Sequence, residues 1–134
     1  VRVASKKGLV TGIISGGKTE ALHFRCLNLG IKEENIYLGA RGKMTCFRDF
    51  CKRNGLDASE VMYIGDDIPD TQVLAACGAG VAPADAVEEA KAAADIVSPY
   101  PGGHWCVRDT IEKIMKAKGL WQVDYDVYES MFRK

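Results

Sequence analysis

Residues 61–70 read VMYIGDDIPD. An apolar run of the kind that forms a buried strand ends on two adjacent acids, Asp66 and Asp67, with Asp70 just beyond. Two carboxylates about 4 Å apart repel by roughly 1 kcal/mol in bulk water and roughly 4 kcal/mol at an effective dielectric of about 20. A compensating positive charge is therefore expected beside them. Acids at the end of a buried strand suit Mg²⁺, a hard cation that takes one or two carboxylates and fills its other positions with water and substrate phosphate. The competing reading leaves Asp67 exposed and uses Asp70 to cap the following helix. For Asp70 the cap is expected, with an added role in orienting the loop.

Two other stretches carry residues that suit an anion. In ISGGKTE a hydroxyl and two glycines precede a helix, so Ser15, the backbone N–H groups of Gly16 and its neighbours, and the helix dipole can together hold a phosphate. The bland alternative is a strand-to-helix turn with Ser15 as its cap. Lys43 follows IYLGARG and opens a helix, where its charge opposes the dipole; that mild cost suggests that it faces an anion, although an exposed lysine is commonly just solvated. A third pattern overlaps the first. Gly12 to Thr19 matches G-x-x-x-x-G-K-[ST] literally, which leaves a P-loop nucleotide-binding hydrolase as an alternative. Against it, Gly12 is followed by Ile13 and Ile14 and so falls inside the strand, whereas a P-loop needs its first glycine at the strand end.

These residues must be positioned by the elements around them. Leu9–Ile14, Asn35–Leu38, Val61–Ile64, Ala79–Ala82 and Asp95–Val97 read as strands. Helical spacing is expected over Lys18–Leu29, Lys43–Asn54, the segment after Asp70 that ends at Gly78, Asp85–Ala94, and a last helix marked by Val107, Ile111, Ile114 and Met115. Strands that alternate with helices imply an α/β fold with a doubly wound parallel sheet, whose ligands bind at the carboxyl ends of the strands. Ser15, Lys43 and Asp66 all fall at such ends.

The 134 residues are 47% hydrophobic and 27% charged, the range of one globular domain, here residues 1–120 with a tail of 121–134 that docks on its own domain or a neighbour. Lysines and arginines number 18, as do aspartates and glutamates, so no net field marks the chain for nucleic acid or a membrane surface. The five cysteines never form Cys-x-x-Cys and read as reduced thiols of a cytoplasmic protein. No apolar stretch reaches the roughly 18 residues of a membrane helix. The chain opens on VRVASKKG, which reads as the last turns of a helix, so it is expected to begin in mid-element.

Taken together, IISGGKTE, the lysine of GARGK, YIGDDIPD, VAPADAVEEAKAAADIVS and the GGxxxxR of GGHWCVRD resemble the haloacid dehalogenase superfamily, from Val1 to about Gly119. More narrowly they resemble its capless branch, phosphatases of phosphorylated eight- and nine-carbon 3-deoxy keto sugar acids. The resemblance implies a Rossmann-like fold, Mg²⁺ as cofactor and an aspartyl-phosphate intermediate. It implies Ser15 as the phosphate-binding hydroxyl, Lys43 as the neutralising lysine and Asp66 as a Mg²⁺ ligand, with Asp67 and Asp70 shaping the loop around the metal. It further implies a homotetramer whose sites are completed by a neighbouring subunit, with Arg108 as the arginine of that region. His104, beside Arg108, is a lesser candidate for touching substrate.

The departures are specific. The family's aspartate nucleophile and its general acid and base lie in a D-x-D-G segment on the central strand, and no such segment is present. Asp124-Tyr125-Asp126 lacks the glycine and follows a poor strand. The expectation is that about 40 residues carrying the central strand and the nucleophile precede Val1, which leaves this chain inactive alone. Trp105 stands where the family motif usually has glycine, and Gly17 where relatives often carry a substrate-selecting charge. The second alternative is thus a catalytically inactive, phosphatase-like assembly domain.

Overall fold

The structure, a computed structural model, describes residues 9–102 and 110–112. Along them run β1 (Ile13–Ile14), α1 (Glu20–Asn28), β2 (Ile36–Tyr37), α2 (Lys43–Arg53), β3 (Met62–Ile64), α3 (Thr71–Ala76), β4 (Ala79–Ala82), α4 (Glu88–Ala93) and β5 (Ile96–Val97). Every strand pair is parallel: Ile13 opposite Ile36 in β1–β2, Met62 opposite Ala79 in β3–β4, and Val81 opposite Ile96 in β4–β5. This is the α/β alternation that the sequence implies.

The five strands form two sheets, β1–β2 and β3–β4–β5, and among the described residues no strand joins β1 to β3. Ile14 of β1 and Tyr63 of β3 nevertheless pack on the same buried cluster. The seam between the sheets falls where the expected central strand would lie. Leu9–Ile14 accordingly contributes only its last two residues to a ladder.

One core cluster joins the sheets through helices. Phe47, Phe50 and Cys51, at i, i+3 and i+4 of α2, meet Val73 and Cys77 of the α3 region. The opposite side of α3 buries Leu74 against Ala82, Ala86 and Ala90, small residues that let α4 and β4 approach closely. A side chain at Gly80 would bring its Cβ to 2.5 Å from the Leu74 carbonyl oxygen, so glycine there sets the approach of α3 to β4. Cys26, Cys51 and Cys77 are buried free thiols, and burial pushes all three up, as expected of unreactive core cysteines.

Two expected helices start later than the periodicity suggests. Thr19 is the N-cap of α1, its Oγ1 accepting the Leu22 N–H at 3.1 Å, so neither Lys18 nor a Ser15 cap begins that helix. Asp85 to Val87 stay outside α4. Asp85 Oδ1 accepts the Gly102 N–H at 2.8 Å, and the Val87 N–H donates to the Asp66 carbonyl at 3.0 Å. Among the described residues no helix is long and apolar enough to cross a membrane. Of the last expected helix only 110–112 is described, and it is helical. The 121–134 tail lies outside the described residues.

Candidate active site

The loops after β1 and β2 are joined by backbone hydrogen bonds. Ser15 N–H donates to the Tyr37 carbonyl at 2.8 Å, Ala40 N–H to the Ser15 carbonyl at 2.9 Å, and Gly39 N–H to the Gly17 carbonyl at 2.8 Å. Gly39 has φ +63, a left-handed conformation suited to glycine, and the Lys18 stem lies against it. Ser15 Oγ accepts the Gly17 N–H at 3.1 Å, which closes a local turn. The ISGG loop therefore leads directly, through residues 39–42, to the start of α2 and Lys43.

Lys43 and the acidic loop are directly connected. Lys43 Nζ donates to Asp70 Oδ1 at 2.9 Å, and Tyr63 OH donates to the same oxygen at 2.6 Å. Asp70 Oδ2 accepts the backbone N–H groups of Asp66 and Asp67, each at 3.1 Å. Asp70 is only 2% exposed. Burial by itself would raise its carboxyl, but the hydrogen bonds from Tyr63, Lys43 and the backbone, with the lysine charge, outweigh it and hold the group below the usual carboxylate range. Burial and this same hydrogen bond drive the Tyr63 phenol far upward, so it stays a donor.

This corrects the expected cap. Asp70 occupies the N-cap position of α3, but its side chain makes no cap hydrogen bond there. It turns back to hold the loop instead, because a buried carboxylate gains more from a lysine, a phenol and two N–H groups than from one exposed helix end. The orienting role is the one observed. Asp67 is exposed, and its Oδ1 accepts the Ile68 N–H at 2.7 Å within a capping box closed by Asp70.

The donor set fits half of a Mg²⁺ site. The exposed Asp66 carboxylate has no partner among the described residues, while its main chain is held by Asp70 and by Val87. Among the described residues no group of three or more His, Cys, Asp or Glu gathers as a complete ligand cage. One free carboxylate on a fixed loop is what Mg²⁺ uses when water and phosphate fill its other positions. His104 and Arg108 lie outside the described residues. His23 is paired with Glu33 at 2.7 Å, away from this loop in the chain.

Tyr63 was not evident as a site residue from sequence. The available signal was a phenol in an otherwise apolar strand, a group that needs a partner when buried. The P-loop geometry is not formed: Gly12 precedes β1, and a Cβ there would lie 2.6 Å from the Phe50 ring, so its smallness serves packing. Thr19, the hydroxyl of that pattern, is spent on capping α1.

Residues 34–101 match the family model of haloacid dehalogenase-like hydrolases. The chain is 32% identical over 119 residues to 3-deoxy-D-manno-octulosonate 8-phosphate phosphatase of Escherichia coli K12, covering 89% of this chain and 62% of that protein. It thus spans less than two thirds of that relative's length. The cobalt-bound deoxy-D-mannose-octulosonate 8-phosphate phosphatase of Haemophilus influenzae superposes with a TM-score of 0.82 at 34% identity, covering 89% of this chain and 72% of that one. The 3-deoxy-D-manno-octulosonate 8-phosphate phosphatase of Moraxella catarrhalis, in complex with magnesium, phosphate and KDO, superposes with a TM-score of 0.82 at 29% identity, covering 98% and 72%. With its parallel α/β fold and its lysine-to-acid-loop junction at the strand ends, this chain belongs to the haloacid dehalogenase-like hydrolases.

Proposed function

We propose that this chain forms the phosphate- and metal-binding part of a Mg²⁺-dependent phosphatase acting on the phosphate monoester of an eight- or nine-carbon 3-deoxy keto sugar acid. The observation that carries this reading is the junction of Lys43, Asp70 and the Asp66–Asp67 loop at one rim. Similarity to phosphatases of 3-deoxy-D-manno-octulosonate 8-phosphate supports the substrate class. The Moraxella catarrhalis complex supports the choice of Mg²⁺.

In this reading Lys43 keeps ammonium protons free beyond the one donated to Asp70 and neutralises the phosphoryl oxygens. Ser15 and the Gly16 N–H bind the phosphate from the neighbouring loop. Asp66 holds the metal, with Asp67 and Asp70 shaping the loop behind it. When bound, Mg²⁺ supplies charge neutralisation to the transferred group, the dominant contribution in phosphoryl transfer. We assign recognition of the sugar acid to Gly17, His104 and Arg108.

The reaction also needs an aspartate nucleophile. Its carboxylate attacks phosphorus, and the P–O bond to the sugar breaks as the second aspartate of the D-x-D pair gives the departing oxygen its proton. That second aspartate then takes a proton from the water that hydrolyses the aspartyl phosphate to free phosphate and the carboxylate. We assign that pair to a segment outside these 134 residues that lies in the seam between β1 and β3. The edges of those strands that have no partner among the described residues support the assignment. A cytoplasmic homotetramer with neighbours completing each site belongs to the same reading.

The test is Mg²⁺-dependent release of phosphate from the sugar phosphate by this chain expressed with its flanking coding sequence. Asp66→Asn should abolish it, and undiminished turnover by that variant refutes the metal assignment. The 134 residues alone should be inactive, so robust turnover by them refutes the external nucleophile. Flanking sequence without a D-x-D pair, together with no turnover, favours the inactive assembly domain.

A further inference from the structure

Asp70 connects two parts of the rim that belong to different elements, the lysine at the start of α2 and the acidic loop after β3. For that connection to fix a geometry, the carboxylate itself must be fixed. Its terminal torsion is a broad, soft one, and the ammonium that holds Oδ1 sits on a flexible four-carbon stem with rotatable donors. The Asp66 and Asp67 N–H groups hold Oδ2, but on the Oδ1 side Lys43 by itself leaves the carboxylate loosely held.

Tyr63 supplies what Lys43 lacks. Its ring stands edge-on to Phe47, with centroids 6.5 Å apart and planes at 79°, and it packs on both core clusters. Its hydroxyl is thereby held by packing, and it reaches Asp70 Oδ1 at 2.6 Å. Gly65 leaves room for this contact: a Cβ there would lie 2.5 Å from Asp70 Cβ and 2.9 Å from Tyr63 Cε2.

We infer that Tyr63 is a positioning residue of the site, whose hydroxyl locks the Asp70 carboxylate so that the Lys43 ammonium and the Asp66 loop are held at one fixed separation. The inference rests on the functional reading above. Tyr63 touches neither phosphate nor metal. It presets the distance between the group that neutralises the phosphate and the carboxylate that takes the cation, so both ligands meet a formed site.

The experiment measures binding of Mg²⁺ and of inorganic phosphate by calorimetry, using this chain expressed with its flanking coding sequence. Tyr63→Phe keeps the ring and removes the hydroxyl. It should weaken both ligands by roughly tenfold, the scale of one hydrogen bond to a charged group. Ile31→Ala, a buried change between α1 and β2 outside both clusters on which Tyr63 packs, should lower the melting temperature and leave both constants unchanged. The Tyr63→Phe, Asp70→Ala double variant should bind no more weakly than Asp70→Ala alone, because both changes remove the one contact between them.

Unchanged constants in Tyr63→Phe, additive losses in the double variant, or a Tyr63→Phe protein that does not fold would each overturn the inference. The last outcome would make the hydroxyl a folding determinant. Wild-type protein that binds no Mg²⁺ overturns the functional reading itself, and the two failures are thereby distinguished.

Discussion

The ammonium of Lys43 stands 2.9 Å from a carboxylate oxygen of Asp70, a residue 27 positions further along the chain. The pair explains how a lysine is tolerated in the first turn of α2, where the helix dipole opposes it. The lysine's charge is met by Asp70, which leaves the Asp66 carboxylate without a partner among the described residues. Side-chain exposure is 17% for the lysine and 3% for the aspartate, so water screens the pair little. Asp70→Asn should therefore destabilise the fold by about 3 kcal/mol, the usual consequence of removing one partner of a buried pair. Urea denaturation reads it, and a change within experimental error would sink the claim.

The same carboxylate fixes a pH dependence. Burial raises Asp70, but the donors around it prevail and its folded value lies below the ordinary 3.8. A group depressed in the folded state contributes stability that is present above its unfolded value and lost as pH falls through its folded value. Wild-type stability should thus exceed that of Asp70→Asn at neutral pH, and the gap should narrow below about pH 4. Urea midpoints from pH 7 downward test this, and a constant gap contradicts it.

Asp66 should behave oppositely. Its carboxylate has no partner among the described residues, so Asp66→Asn should change metal-free stability by less than about 0.5 kcal/mol, as for an ordinary surface substitution. Mg²⁺ should raise the melting temperature of wild type by mass action and leave the variant unmoved. Equal metal-induced shifts in the two proteins would exclude Asp66 as a ligand.

Two glycines of the rim should differ. A Cβ at Gly65 meets Asp70 Cβ at 2.5 Å, Asp70 Cγ at 2.7 Å and Tyr63 Cε2 at 2.9 Å, so Gly65→Ala forces the loop away from β3. The expected cost is about 1 to 3 kcal/mol, typical of overpacking. At Gly16 the nearest atom is the Ala40 carbonyl oxygen at 3.8 Å, an ordinary contact. Gly16→Ala should leave thermal stability nearly unchanged, and equal losses at the two positions would refute the steric account.

What could be read from the chain was local. Among the described residues, apolar periodicity located all five strands and four of the helices, because strand and helix spacing are properties of neighbouring residues. It placed Ser15, Lys43 and Asp66 at strand ends for the same reason. Element starts were less legible: Thr19 outcompeted Ser15 as a cap, and Asp85 to Val87 were drawn into bonds with Gly102 and Asp66.

Tertiary structure decided the direction of Asp70. By sequence it stands just before a helix and reads as a cap, yet its carboxylate turns toward a lysine from α2 and a phenol from β3. The lysine lies 27 residues away and the phenol 7 residues away on another element, and both meet the carboxylate only when α2 and β3 pack together. The division into two sheets is likewise invisible to periodicity, since it depends on which edges find a partner. Sequence alone determined the kind of element and the residue types carried to the rim. Only packing determined which of them meet, because hydrogen bonds between elements form after burial has brought their donors and acceptors within 3 Å or so.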